Sequence, residues 1–176
     1  MARWRLTVWS RHRASLEEVW ARKTEPLDLR EELLPWLRIT VEDVDGLRRA
    51  LRETGTGTFA GRVTGPLGIL GFDWPFEIRG TRPRRWYRDA SRNLLLAAFE
   101  HEHRLEVTGD GLVRYVDEVT FSPAFGPGRL TGEVLRALFV HRHHRAARVL
   151  PVDGAALGRS WLRRLDGVAE VGAAAV

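Results

Sequence analysis

The chain has 176 residues, 44% hydrophobic and 29% charged, the balance of one folded domain able to bury a full core. It contains no cysteine, which excludes disulfides, thiolate metal sites and thiol catalysis. The formal net charge is +5, and Lys23 is the only lysine; an arginine bias with many Ala and Gly also follows from GC-rich coding, so charge alone does not argue for nucleic acid.

In chain order, Met-Ala-Arg-Trp-Arg lacks an apolar signal core, and no run of about 18 apolar residues follows. A cytoplasmic protein without a membrane span is therefore expected. Trp4 to His12 alternates, with Trp4, Leu6 and Val8 on one face and Arg3, Arg5 and Arg11 on the other, as in a half-buried strand. Ser15 and Glu18 form a capping-box pattern that starts a helix carrying Leu16, Val19 and Trp20. Pro26 is expected to end it, and Asp28 to cap a second short helix through Leu33 and Leu34.

From Ile39 to Phe121 most segments read as strands: Ile39 to Val44, Thr56 to Thr64, Phe72 to Ile78, Trp86 to Ser91, Leu94 to Val107 and Leu112 to Phe121. Leu47 to Arg52 fits a helical turn equally well. A helix of roughly six turns is expected from Arg129 to Leu150. Beyond Pro151, the segment 151–176 is expected to be an extension, either a short helix through Leu157, Trp161, Leu162 and Leu165 or a flexible tail. Consecutive strands with short turns imply an antiparallel sheet, and only the last helix is long enough to cover it.

Polar residues interrupt the faces that should be buried. Leu95, Ala97, Phe99, Leu105 and Val107 share a face with His101 and His103, and Val113, Tyr115, Val119 and Phe121 share one with Asp117. A turn at Gly109 to Gly111 pairs Val107 with Val113, which sets His103 opposite Asp117 and His101 opposite Val119. On the long helix Val134, Leu135, Leu138, Phe139, Ala146 and Val149 form an apolar sector from about 40° to 180°, measured from Leu130, and Arg142 falls inside it at about 120°. An arginine there needs a partner, and Asp117, His101 and His103 are the candidates.

Two readings stay open at this point. Asp117, His103 and Arg142 either form a satisfied structural network or make the polar end of an apolar ligand cavity. The tract His141 to Arg145 lacks the i,i+4 spacing of a zinc site, so no metal or cofactor is expected. Arg82, Arg84, Arg85, Arg88 and Arg92 alternate with Trp86 and Tyr87; this reads as an edge strand with its arginines in water, or as a nucleic-acid surface. Trp4, Trp20, Trp36, Trp74 and Trp86 read as core or cavity lining.

The run Phe99-Glu100-His101-Glu102-His103, the Gly109-x-Gly111 turn, Asp117-Glu118-Val119-x-Phe121-x-Pro123, Gly126-x-Gly128 and Leu138-Phe139-x-x-Arg142 resembles the SRPBCC (START-like, helix-grip) superfamily, narrowly its bacterial polyketide cyclase/dehydrase-like ligand-binding branch. The Val19-Trp20 pair on a capped first helix resembles the family's opening. The resemblance covers about residues 3–150, and residues 1–150 are expected to be one such domain. It implies an α+β helix-grip fold, with about seven antiparallel strands curved around the C-terminal helix and a hydrophobic pocket between them. Phe121 stands where a tyrosine is common, and the chain after Leu150 is longer than the family pattern.

The expected function is binding of an apolar or amphipathic small molecule: lipid-like, aromatic or polyketide-like. Trp74, Phe76, Phe99, Tyr115, Phe121, Leu135, Leu138 and Phe139 would line its cavity, and His101, His103, Asp117 and Arg142 would form the polar end. The first alternative is a cyclase or dehydratase on a polyketide-like or steroid-like substrate, with His101 or His103 as general base beside Asp117. The second is nucleic-acid binding through Arg-rich outer strands. A monomer or homodimer is expected.

Overall fold

A computed structural model describes residues 2–68 and 71–165. Strand β1 (Arg3–His12) leads into helix α1 (Leu16–Lys23), where Ser15 and Glu18 form both bonds of the capping box. Pro26 does not merely end that helix. It occupies the first turn of α2 (Pro26–Leu33), where a missing N–H costs nothing, so Glu25 rather than Asp28 is the capping residue. Strand β2 (Arg38–Val41) and helix α3 (Val44–Arg49) follow, and α3 runs on as a π turn over Ala50–Thr54. The ambiguous segment is thus helical, with Leu47, Ala50 and Leu51 buried together.

The expected strand over residues 56–64 is two strands, β3 (Gly57–Phe59) and β4 (Gly61–Thr64). The next is also divided, into β5 (Gly71–Asp73) and β6 (Phe76–Arg82), so Phe72 and Phe76 lie in different sheets. The division falls at Trp74-Pro75, where proline cannot donate to a ladder. Strands β7 (Trp86–Ser91), β8 (Leu96–Val107) and β9 (Val113–Pro123) and helix α4 (Gly128–Ala146) complete the expected order.

The last element corrects the sequence reading. Residues 159–165 form strand β10 (Arg159–Leu165), not a helix, and pair antiparallel with β1, Leu162 opposite Leu6. The seven-stranded antiparallel sheet has the order β10-β1-β9-β8-β7-β6-β3, beside a small β2-β4-β5 sheet. With α4 across it, this is the α+β helix-grip architecture. The rest of the expected extension, 166–176, lies outside the described residues.

The β8–β9 register is as the turn arithmetic requires: Val107 faces Val113, His103 faces Asp117 and His101 faces Val119. An irregularity between Leu96 and Ala98 shifts the phase at the strand's start, so Leu96 is buried and Leu95 exposed. Helix α4 is rotated from the expected phase and ends four residues early. Its buried residues are Gly132, Phe139, Arg142, His143 and Ala146, a sector centred near 170° rather than 110° on the same wheel. Leu130, Val134 and Val149 face outward. The reason is close approach: a Cβ on Gly132 would lie 2.6 Å from Leu162 and 3.2 Å from Phe121, so this turn touches the sheet through a residue without a side chain.

A bulkier residue at that contact has to push β10 from the helix. Gly132→Val is expected to lose about 1–3 kcal/mol of stability by overpacking. Urea unfolding checks the loss, and faster proteolysis within residues 159–165 locates it.

Candidate functional site

The inner face of β8 and β9 meets α4 in a buried polar cluster. Asp117 is fully buried and lies at its centre. Its Oδ1 accepts from His101 Nε2 at 3.1 Å and from the Tyr115 hydroxyl; His103 Nδ1 lies 2.9 Å from the same oxygen and bonds the Tyr115 hydroxyl at 2.9 Å; its Oδ2 accepts from His143 Nε2 at 3.2 Å and faces Arg142 Nη1 at 3.7 Å. Burial opposes ionisation of this carboxyl, but Arg142, His103 and the histidine hydrogen bonds outweigh it and hold it well below the usual range. The Ser10 hydroxyl bonds His143 Nδ1. A neutral His143 that donates to Asp117 and accepts from Ser10 satisfies both contacts. Burial lowers its pKa accordingly.

A second buried layer closes the charge. Arg142 Nε donates to Glu32 on α2 at 2.8 Å, and Glu32 accepts from Lys23 on α1 at 2.6 Å. Lys23 also sits 4.3 Å over the Tyr115 ring, and its carbonyl accepts from the Tyr87 hydroxyl at 3.1 Å. Burial pushes the Lys23 ammonium down despite Glu32; for Glu32, burial is outweighed by Lys23 and Arg142, so its carboxyl lies below its ordinary value.

The structure thus brings His101, His103, Asp117 and Arg142 together, the four that the sequence grouped, and adds Tyr115, which the sequence placed in the apolar lining. The apolar candidates separate. Phe99, Phe121 and Phe139 pack in one cluster with Trp74 and Leu135 at its edge; Phe76 packs in the other cluster with Tyr115, and Leu138 is half-buried in neither. Both imidazoles are covered: His101 has the Phe139 ring at 5.0 Å, and His103 stacks on Tyr87 at 3.9 Å. Space opens elsewhere, in a groove of about 340 Å³ at the row Phe76–Ser91–Phe99 that crosses the ends of β6, β7 and β8. The Ser91 hydroxyl there is buried with no hydrogen-bond partner; Arg79, paired with Glu77 and Glu100, and Arg92 line the groove as well.

Sequence reasoning missed Ser10, His12, Lys23, Glu32, Asp89 and His143. Asp89 had a readable signal, since it alternates in phase with Tyr87 and Ser91, and it pairs with His101 across β7–β8. Lys23 and Glu32 had none, because a helix-end lysine and a helix glutamate ordinarily face water. The histidine tract disperses: His141 reaches the Leu34 carbonyl, His143 reaches Asp117 and His144 is exposed.

The Arg-rich strand β7 is internal, between β6 and β8, not an edge. On the sheet's outer face Arg88 pairs with Glu102, Arg104 with Glu102 and Glu106, and Arg3 and Arg79 with Glu100, so carboxylates interrupt the basic stripe. Trp20 is core, whereas Trp36 is exposed. Among the described residues no helix is long and apolar enough to cross a membrane.

Against known proteins, the family model described as "Domain of unknown function (DUF8410)" matches residues 10–150. No curated protein matches. Solved structures share the fold. Protein CV1439 from Chromobacterium violaceum superposes with a TM-score of 0.61 at 16% identity, over 85% of this chain and 99% of that one. A START superfamily protein from Mycobacterium smegmatis gives a TM-score of 0.61 at 9% identity, over 83% and 97%. The Zhui aromatase/cyclase from Streptomyces sp. R1128 gives 0.55 at 13% identity, over 82% and 88%. The architecture is therefore START-like, and at these identities the likeness extends to fold alone.

Two properties of the cluster are measurable. Glu32→Gln leaves Lys23 and Arg142 facing each other without the shared carboxylate. It is expected to cost about 3–5 kcal/mol in urea unfolding, with part regained in the Lys23→Met/Glu32→Gln double variant.

His12 is fully buried, and burial, helped by Lys23 and His143 and opposed by the Leu150 backbone and Glu32, pushes its pKa down to about 4. A histidine depressed in the folded state binds fewer protons than its unfolded form, so stability falls as pH drops from about 6.5 towards 4, by roughly 3 kcal/mol for this group. Thermal melts across that range check it. His12→Phe should flatten the profile in part, because His143 titrates in the same direction.

Proposed function

The chain belongs to DUF8410, a domain family described by no activity, and from that premise we propose that it binds an amphipathic small-molecule anion in the groove at the open end of the grip. One observation carries the reading: the groove, lined by Pro75, Ala90, Ala98 and the edges of Phe76 and Phe99, with Glu77 and Glu100 paired to Arg79, contains a buried, unpartnered Ser91 hydroxyl. A buried hydroxyl without a partner costs free energy that a ligand's acceptor atom would recover. Arg92, exposed at the rim and without an ion pair among the described residues, suits a carboxylate or other acidic head, and a volume of about 340 Å³ is in the range of small-molecule sites.

In this reading the ligand's apolar body lies on Phe76 and Phe99, its head meets Arg92, and Ser91 donates one hydrogen bond. A lipid-like acid fits that chemistry, and so does an aromatic or polyketide-like acid. The fold supports it in a coarse way, since START-like proteins share the frame. The polyketide cyclase-like assignment has support only from the shared fold.

The test is titration with a fluorescent polyene fatty acid. Saturable binding is expected at one site, weakened roughly fivefold by Ser91→Ala, the worth of about one hydrogen bond. Arg92→Glu should weaken it further and remove its salt dependence. Absence of saturable binding, or indifference to both substitutions, overturns the reading.

A further inference from the structure

Asp89, His101 and His103 stand on adjacent strands with one donor atom each converging on the same point. Asp89 Oδ1 lies 3.4 Å from His101 Nδ1 and 3.9 Å from His103 Nε2, and the three donor atoms all lie within 4.8 Å of one another. Donors around a tetrahedral ion of zinc type, at about 2.0–2.1 Å from it, are about 3.4 Å apart. One edge of the triangle already has that length, and the others close by small side-chain rotations.

The remaining nitrogens are held in a manner that a merely satisfied histidine pair does not need. His101 uses Nε2 on Asp117, and His103 uses Nδ1 on the Tyr115 hydroxyl, which itself donates to the same Asp117 oxygen, so one buried carboxylate anchors the far side of both rings, directly and through Tyr115. Each ring's other nitrogen is thereby turned to Asp89; on His101 it carries the proton that pairs with this carboxylate, which an incoming ion would displace. That is the outer-shell arrangement of metal-ligating histidines, in which the far N–H donates to a carboxylate and fixes tautomer and orientation. Asp89 keeps 12% of its side chain exposed while the imidazoles keep 5–6%, which gives an ion its approach from the Asp89 side.

We propose that Asp89, His101 and His103 form a binding site for a divalent transition-metal ion of the zinc class, with Asp117 as the residue that orients both imidazoles. Two nitrogens and one carboxylate oxygen suit Zn²⁺ or Co²⁺ rather than Ca²⁺ or Mg²⁺, which prefer oxygen ligands. Three protein ligands leave a coordination position for water or another small ligand. The site is separate from the amphipathic groove, and each can exist without the other.

The experiment is titration of chelator-treated, dialysed protein with CoCl₂, read by visible absorption, with ZnCl₂ competition read by calorimetry. One equivalent of Co²⁺ with the intense visible bands of low-coordinate cobalt, displaced by Zn²⁺, is expected. Asp117→Asn should weaken binding about 10–100-fold, the usual cost of losing a ligand-orienting partner. Because Asp117 also anchors the core, the deciding variants are Asp89→Asn and His103→Gln, with folding checked by circular dichroism. Each should weaken binding at least tenfold, while His144→Ala on the exposed end of α4 should leave it unchanged. No cobalt spectrum in the folded wild type, or affinity lost in His144→Ala and kept in Asp89→Asn, overturns the proposal.

Discussion

The fully buried carboxylate of Asp117 is the constraint around which this fold is arranged. An isolated buried carboxylate is costly, and it is tolerated here because donors from three elements converge on it: His101 and His103 on β8, Tyr115 on β9 and His143 on α4, with the Arg142 charge close by. Arg142 extends the chain of charge to Glu32 on α2 and Lys23 on α1. One negative charge on the sheet therefore fixes where three helices dock. Apolar residues of equal volume could match the stability of such a network, but they would not fix helix rotation in the same way.

That difference explains what the sequence could and could not show. The register of β8 and β9 was legible from Phe99 to the turn, because a Gly-rich turn and alternation determine it locally, and with it the facing of His103 and Asp117; the irregularity before Ala98 and the exposure of Val107 were not. Arg142 was legible as an arginine on an apolar stripe. The rotation of α4 was not. Val134 and Val149 argued for one phase, while Gly132 at the sheet and His143 on Asp117 impose another; a glycine and a histidine add nothing to a hydrophobic stripe. β10 failed for a related reason. Its Trp161, Leu162 and Leu165 fit helical spacing, and only the free edge of β1, more than 150 residues earlier in the chain, makes the segment a strand. Lys23 and Glu32 show the limit most clearly, since each looks solvated in sequence and each is buried by the other.

The filled interior also changes where a ligand can go. A helix-grip frame leaves space between sheet and helix only if the inward side chains leave it, and here the middle is taken by two histidines, a tyrosine, an aspartate, an arginine and a lysine–glutamate pair. One open groove lies at the end of β6, β7 and β8, where the register irregularity near Ala98 and the Trp74-Pro75 break end the strands, and another of about the same volume lies beside Leu34, Pro35, Arg38 and Thr64. Neighbours with the same frame therefore give little guidance to this chain's ligand, because the frame is shared and the side chains that shape the space are its own.

Phe99 joins the two regions. It lines the groove on one side and stands 5.9 Å from the His101 ring, edge to face, on the other. Occupation of the groove would press on a residue that already packs against the imidazole, and ordering of the imidazole would stiffen the groove's floor. Ala90 and Glu100 also line the groove and are the chain neighbours of Asp89 and His101, while Asp117 holds His101 from behind and Asp89 holds it from the neighbouring strand. A rigid, over-bonded histidine is a poor proton shuttle but a good fixed ligand, and so the same hydrogen bonds that weigh against a general base favour a preorganised binding position.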